Sequence, residues 1–283
     1  MEVQELELNI FPKIDLGRIR YYGHPSGVGK KVITEAIEFL KNERDLDGDV
    51  KRSIERIREI KAVEFTIFIA PLCAHCAKTV RTLLQFAVVN PGIEVNVIDT
   101  TQFGELQERL EIVSVPVILV NRKIKITGET KLKELIELAE RVDDEEFIYK
   151  FIVRMIREGR ARELCYTILN IEMDRILPAL LREGDFFIRL GVMYLLEIVS
   201  EKNDEIARSL CPTIVELIGD GDERVKEDAI MALGKIGGEE ELKILEGLLM
   251  VENDKFREAI TEAIEEIRER IVLVSNRVKV IKR

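Results

Sequence analysis

Cys73-Ala74-His75-Cys76 follows the apolar run Val63 to Pro71 and precedes the helical spacing of Ala77 to Val89, so two thiols mark the point where a strand hands over to a helix. That position suits a redox dithiol. A helix N-terminus carries unpaired backbone N–H groups and a partial positive charge, which favour a thiolate on the first cysteine. The second cysteine lies one helical turn on, placed to attack a mixed disulfide formed by the first.

The other two cysteines, Cys165 and Cys211, fall in separate helical patterns and are expected to be small buried apolar residues. A structural zinc site needs four ligands, and the histidines amount to His24 and His75, so no metal is expected, and no cofactor. A formal net charge of −10 argues against nucleic acid or an anionic membrane as the main partner. No apolar span of membrane length occurs and Met1 to Asn9 is acidic, which reads as a cytoplasmic chain without a signal peptide or membrane anchor. The basic residues Arg277, Lys279, Lys282 and Arg283 are too few to reverse that reading. Absence of Trp and 34% charged residues resemble heat-adapted proteins, whose cytosol tolerates disulfides.

Around the dithiol, strand and helix alternate. Glu64 to Ala70 reads as a strand, Ala77 to Val89 as a helix ended by Asn90-Pro91-Gly92, and Ile93 to Ile98 as a second strand. A short helix over Phe103 to Leu110 follows. Ser114-Val115-Pro116 then opens the strand Val117 to Val120, Asn121-Arg122-Lys123 turns into Ile124 to Thr127, and Lys131 to Val142 closes with a helix. This order, the dithiol at the first strand-to-helix junction and the Val-Pro before the third strand together resemble the thioredoxin fold over about 80 residues. The resemblance implies a cis Pro116 facing the dithiol, with Val115 and Pro116 forming the substrate-binding edge for an incoming peptide.

The flanks narrow the resemblance. Asp47-Gly48-Asp49, the helix through Ile54, Ile57 and Ile60, Val89-Asn90-Pro91, Ile98-Asp99, Val115-Pro116-Val117 and Val120-Asn121 are similar to two families with paired thioredoxin folds. These are the N-terminal domain of the alkyl hydroperoxide reductase flavoprotein and the protein disulfide oxidoreductases. In both, the dithiol of the second fold is active. Here the segment Gly17 to Gly27, followed by a helix, resembles the end of the first fold, yet only 16 residues precede it. Residues 1–59 are therefore read as a truncated remnant of a first thioredoxin-like fold plus a linker helix, extending the sheet without chemistry of its own. Residues 60–143 are read as the redox domain.

The turn Gly23 to Lys30 imitates a phosphate loop, but five residues rather than four separate Gly23 from Gly29, and Lys31 stands where Ser or Thr should hold magnesium. It is read as a turn in which Gly23 and Gly27 take unusual backbone angles.

Residues 144–283 read as an all-α domain. Asp222 to Gly238, with Ala232-Leu233-Gly234-Lys235-Ile236-Gly237, resembles a HEAT-type repeat of the phycobilisome-lyase class. Related units begin near Asp185, with Ile188-Arg189, and near Asp254, with Phe256-Arg257, and a weaker one lies at Ala161-Arg162; the aligned starts 161, 188, 225 and 256 are 27, 37 and 31 residues apart. Such spacing marks stacked helix pairs burying one another's apolar faces.

Together these resemblances imply a thiol-disulfide oxidoreductase with Cys73 as nucleophile and Cys76 as resolving thiol. His75 matches the residue before the second cysteine in protein disulfide isomerases and implies a more oxidising pair than thioredoxin's, at about −230 to −170 mV. Thioredoxins place a buried acid six residues before the first cysteine, where this chain has Ile67; Glu64 is the only acid of that strand. Partners implied are protein disulfide or dithiol clients, a peroxiredoxin among them, chosen with the help of the repeats, and a separate thioredoxin-reductase-like flavoprotein as electron donor. The competing reading is a HEAT-repeat scaffold that uses the thioredoxin-like domain for binding or redox sensing.

Overall fold

The computed structural model describes residues 13–41, 46–252 and 254–281, and no side chain of 13, 254 or 273–281. The acidic start, Lys282 and Arg283 lie outside the described residues, as do the side chains of Arg277 and Lys279. The chain divides after Asp144 into two compact units.

The first unit is a six-stranded mixed sheet with helices. β1 (Lys13–Asp15) and β2 (Ile19–Tyr22) form an antiparallel pair, followed by α1 (Val28–Lys41) and by α2 (Gly48–Arg52) and α3 (Ile54–Glu59). The helix expected through Ile54, Ile57 and Ile60 is α3, capped at its end by Ile60; the short α2 precedes it, separated at Ser53, whose backbone leaves the helical region at φ −106° and ψ 8°. β3 (Val63–Ile69), α4 (Ala74–Val89), β4 (Ile93–Asp99), α5 (Gly104–Arg109), β5 (Val117–Val120), β6 (Ile124–Thr127) and α6 (Leu132–Arg141) complete the unit. Strand order is β1-β2-β4-β3-β5-β6, with β2, β4 and β3 mutually parallel and β5 and β6 antiparallel to their neighbours. β1 and β2 therefore widen the sheet on the β4 side.

Alternation along the strands sends one row, Tyr21, Val97, Ile67, Ile118 and Ile126, to one face of the sheet. Phe65 shares that face by its spacing from Ile67 and meets Phe86 of α4 edge-on at 6.3 Å. Val80, Leu83, Leu84, Phe86 and Ala87 of α4 are fully buried, which anchors the helix that carries the dithiol. Burial of this apolar face is the main force that fixes the helix on the sheet.

Polar ties set its position more finely. Arg81 of α4 donates to Asp47 at 3.0 and 3.1 Å and to Glu35 of α1 at 3.0 Å, with its guanidinium 4.8 Å from the centre of the Phe39 ring. The Asn90 amide after α4 donates to the carbonyls of Ile57 and Ile60, both at 2.8 Å, and so holds the linker to the sheet.

The second unit is helical: α7 (Glu145–Arg157), α8 (Cys165–Ile168), α9 (Ile176–Leu181), α10 (Phe186–Lys202), α11 (Asp204–Ser209), α12 (Cys211–Leu217), α13 (Glu223–Ile236), α14 (Glu239–Val251) and α15 (Asp254–Ile281). α10 packs on α13, and α13 and α14 both pack on α15. The repeat is visible in its caps: Asp185 accepts from the Phe187 N–H and Asp222 from the Arg224 N–H, each at 3.0 Å. Gly234 of the repeat signature lets α13 approach α15, since a Cβ there would lie 3.0 Å from the Ala263 Cα. The weak unit at Ala161-Arg162 opens instead on a 3-10 turn, Ala161–Leu164, so it contributes no long first helix. Cys165 and Cys211 are both buried and stand outside any disulfide.

Candidate functional site

β3 ends where its apolar run ends, and Ala70-Pro71-Leu72 carries the chain to Cys73, whose extended backbone makes it the N-cap of α4. The helix thus starts at Ala74, three residues earlier than the hydrophobic spacing places it, and includes His75 and Cys76. The reason is the cysteine itself. Its sulfur accepts the Cys76 N–H at 3.1 Å, satisfying one of the orphan donors of the first turn.

Cys73 and Cys76 are joined in a disulfide with Cα atoms 5.3 Å apart. Cys76 has 0% exposure, whereas Cys73 is partly exposed at the mouth of the site. The Val115–Pro116 bond is cis, and the Val115 carbonyl oxygen lies 3.7 Å from the Cys73 sulfur. Pro116 is buried. Leu72, next to Cys73 in the chain, and Val113, two residues before Val115, are almost entirely exposed, at 97% and 96%.

The Pro116 carbonyl accepts the Gly128 N–H at 2.8 Å, which brings the residue after it, Glu129, to α4. There its carboxylate contacts His75 Nδ1 at 2.7 Å and Lys78 Nζ at 2.5 Å. Lys78 first, and then His75, hold the Glu129 carboxyl below its ordinary pKa, and the same contact raises that of Lys78. The His75 ring is therefore held by a carboxylate, and among the described residues it makes no hydrogen bond to the Cys73 sulfur. Glu64 stands at the start of β3, bound by Arg122 at 2.9 Å, and Ile67 is fully buried in the sheet. The structure thus brings Cys73, Cys76, His75, Val115 and Pro116 to one place. Sequence reasoning missed Glu129, which reaches the site from 54 residues away and follows a strand end that no motif marks.

Residues 63–140 match the family model for a thioredoxin domain, and residues 173–265 that for HEAT repeats. The alkyl hydroperoxide reductase AhpF of Pseudomonas aeruginosa is 29% identical over 127 residues, 44% of this chain and 24% of that protein. Two solved structures are similar, both at a TM-score of 0.40. The NTD_N/C domain of alkylhydroperoxide reductase AhpF from Enterococcus faecalis is 26% identical, covering 43% of this chain and 58% of that one. A protein disulfide oxidoreductase from Aeropyrum pernix is 20% identical, covering 48% and 61%. The chain spans about a quarter of the Pseudomonas relative's length, 24%. No helix among the described residues is long and apolar enough to cross a membrane. The chain carries a thioredoxin domain, similar in sequence to a stretch of the Pseudomonas reductase, followed by HEAT repeats.

Proposed function

We propose that this chain is a thiol-disulfide oxidoreductase acting on protein clients. The observation that carries the reading is the asymmetric pair: a partly exposed Cys73 capping α4 beside the Val115 carbonyl, bonded to a fully buried Cys76. In the reducing direction the Cys73 thiolate attacks a client disulfide, forming a mixed disulfide and expelling one client thiolate. Cys76, as thiolate, then attacks the Cys73 sulfur and expels the second client thiolate. Two electrons pass to the client and the Cys73–Cys76 bond forms; the opposite direction is the reverse of these steps.

Within this reading, Val115 offers its backbone to an extended client segment, and the exposed Leu72 and Val113 favour apolar residues beside the client cysteine. His75 supplies a polar group at the mouth, anchored by Glu129. Residues 60–143 are the redox domain, whose sheet β1 and β2 extend, and residues 144–283 the repeats that select clients. The likeness to the alkyl hydroperoxide reductase AhpF supports a peroxiredoxin among those clients and a separate flavoprotein as electron donor.

Reduction of insulin or of dithiobis-nitrobenzoate tests the chemistry, and a Cys76→Ser variant tests the clients by retaining them as mixed disulfides on Cys73. A chain that reduces neither reagent would overturn the enzymatic reading. Client choice by the repeats is tested by removing residues 144–283. The rate with a trapped natural client should fall while the rate with the small disulfide stays unchanged; an equal rate with both would sink that role.

A further inference from the structure

The turn that imitates a phosphate loop does something else in the folded chain. Gly23 and Gly27 both take left-handed backbone angles, φ +114° and +47°. One end of the turn is clamped by Gln102, whose Oε1 accepts the His24 N–H at 2.6 Å and whose Nε2 donates to the His24 carbonyl at 3.0 Å and to Asp99 at 2.9 Å. The other end meets the loop that leads into the dithiol. Val28 opens α1, so its N–H has no acceptor within the helix, and it donates to the Pro71 carbonyl at 2.9 Å. Gly27 is packed against the same carbonyl: a Cβ there would lie 2.2 Å from the Pro71 oxygen and 2.9 Å from its carbon.

Pro71 stands two residues before Cys73, and the intervening chain is a tight turn closed by the Cys73 N–H to the Ala70 carbonyl at 3.2 Å. A displacement of the Pro71 carbonyl therefore passes to the Cys73 backbone with little slack. We propose that the Gly23–Val28 turn is a positioning element of the dithiol site. Gripping the Pro71 carbonyl from Gly27 and Val28, it fixes where Cys73 enters α4 and hence the sulfur's approach to the Cys76 N–H and the Val115 carbonyl. The turn touches neither sulfur, so Gly27, Val28 and Gln102 are positioning residues. The effect is chemical because the N–H to sulfur contact is charge-assisted in the reduced form, where a thiolate accepts it, and weakens with distance and angle. This inference rests on the dithiol reading above.

The test compares three variants of the full chain. Gly17→Ala is the control, since Gly17 also has left-handed angles, φ +82°, with nothing within 4 Å of the added carbon. Gly27→Ala adds the same strain and also drives a methyl group into the Pro71 backbone. Gln102→Ala removes an exposed side chain that clamps the turn and places nothing against Pro71. Relative to Gly17→Ala, reduction of dithiobis-nitrobenzoate by Gly27→Ala should slow by about fivefold or more. The equilibrium constant for oxidation of the dithiol by glutathione disulfide should rise about threefold, because the reduced form loses thiolate stabilisation. Gln102→Ala should move both quantities in the same directions by about twofold. If both variants keep the control's far-ultraviolet circular dichroism and match it in rate and in equilibrium constant, the proposal is overturned. Should Gly27→Ala fail to fold, the Gln102→Ala comparison decides alone. A wild-type chain that exchanges with neither reagent would overturn the dithiol reading, and this inference with it.

Discussion

The sulfur of Cys73 stands 3.7 Å from the carbonyl oxygen of Val115, while its disulfide partner one turn along the same helix has no exposed surface. Reaction at the pair is therefore expected to begin at Cys73. In the reduced protein, iodoacetamide should label Cys73 at least about tenfold faster than Cys76. Cys165 and Cys211 should lag further, since both are buried and burial pushes the Cys211 thiol up to about 12. Peptide mapping of a time course reads the order, and Cys76 reacting first would exchange the two roles.

Glu129 neutralises Lys78 and contacts His75 beside the N-terminus of the dithiol helix. Its negative charge opposes a thiolate there. In Glu129→Gln the midpoint for Cys73 alkylation is expected to fall by about 0.3 pH, and the difference should fade in about 1 M salt because the groups are exposed and screened. An unchanged or raised midpoint at low salt would remove Glu129 from the electrostatics of the site.

Arg81 first, and then Gln85, hold the Asp47 carboxyl below the usual aspartate range, tying α4 to the segment before it. A carboxyl whose folded value is depressed contributes stability above its unfolded pKa of about 3.9, and that contribution is lost as pH falls through the folded value. Asp47→Asn should therefore lower stability at neutral pH by about 1 kcal/mol or less, a figure discounted because the side chain is 45% exposed. The deficit should close below about pH 4. Urea titrations across pH check this; a deficit that widens in acid has the wrong sign.

In the repeats, Arg189 is nearly buried, paired with Asp228 of the next long helix and donating to the Glu183 carbonyl at 2.9 Å. Asp228→Ala leaves that guanidinium without its counter-charge and should cost the helical unit about 3 kcal/mol. Reduction of a small disulfide should be unaffected. A melt followed at the helical circular dichroism band measures the first, and a loss smaller than that of a typical surface substitution would show the pair to be dispensable.

The strand and helix order of residues 63–141 is legible in the sequence because its periodicities are strong and its ends are marked by Pro71, Asn90-Pro91-Gly92 and Pro116. The same holds for the Cys73–Cys76 pair, which lies within four consecutive residues. What is not legible depends on contacts between distant segments. No local pattern shows that Glu129 reaches His75, that Arg81 binds Asp47 and Glu35, or that Gln102 clamps His24. The start of α4 escapes the periodicity for a different reason: the sulfur cap at Cys73 extends the helix over residues that carry no apolar spacing. The short α2 before Ser53 is too brief to show a periodicity of its own, whereas Ile54 and Ile57 mark α3. At Ala161-Arg162 a faint sequence likeness to the repeats sits on a 3-10 turn.

Full burial of Cys76 also bears on damage. An oxidant such as hydrogen peroxide can approach only the outer sulfur of the reduced pair, converting it to a sulfenic acid. The inner thiol, one turn away, condenses with that group and releases water before a second equivalent of oxidant arrives. Oxidation of the reduced pair then ends in the Cys73–Cys76 disulfide, which a thiol reductant can reopen, rather than in the irreversible sulfinic and sulfonic forms.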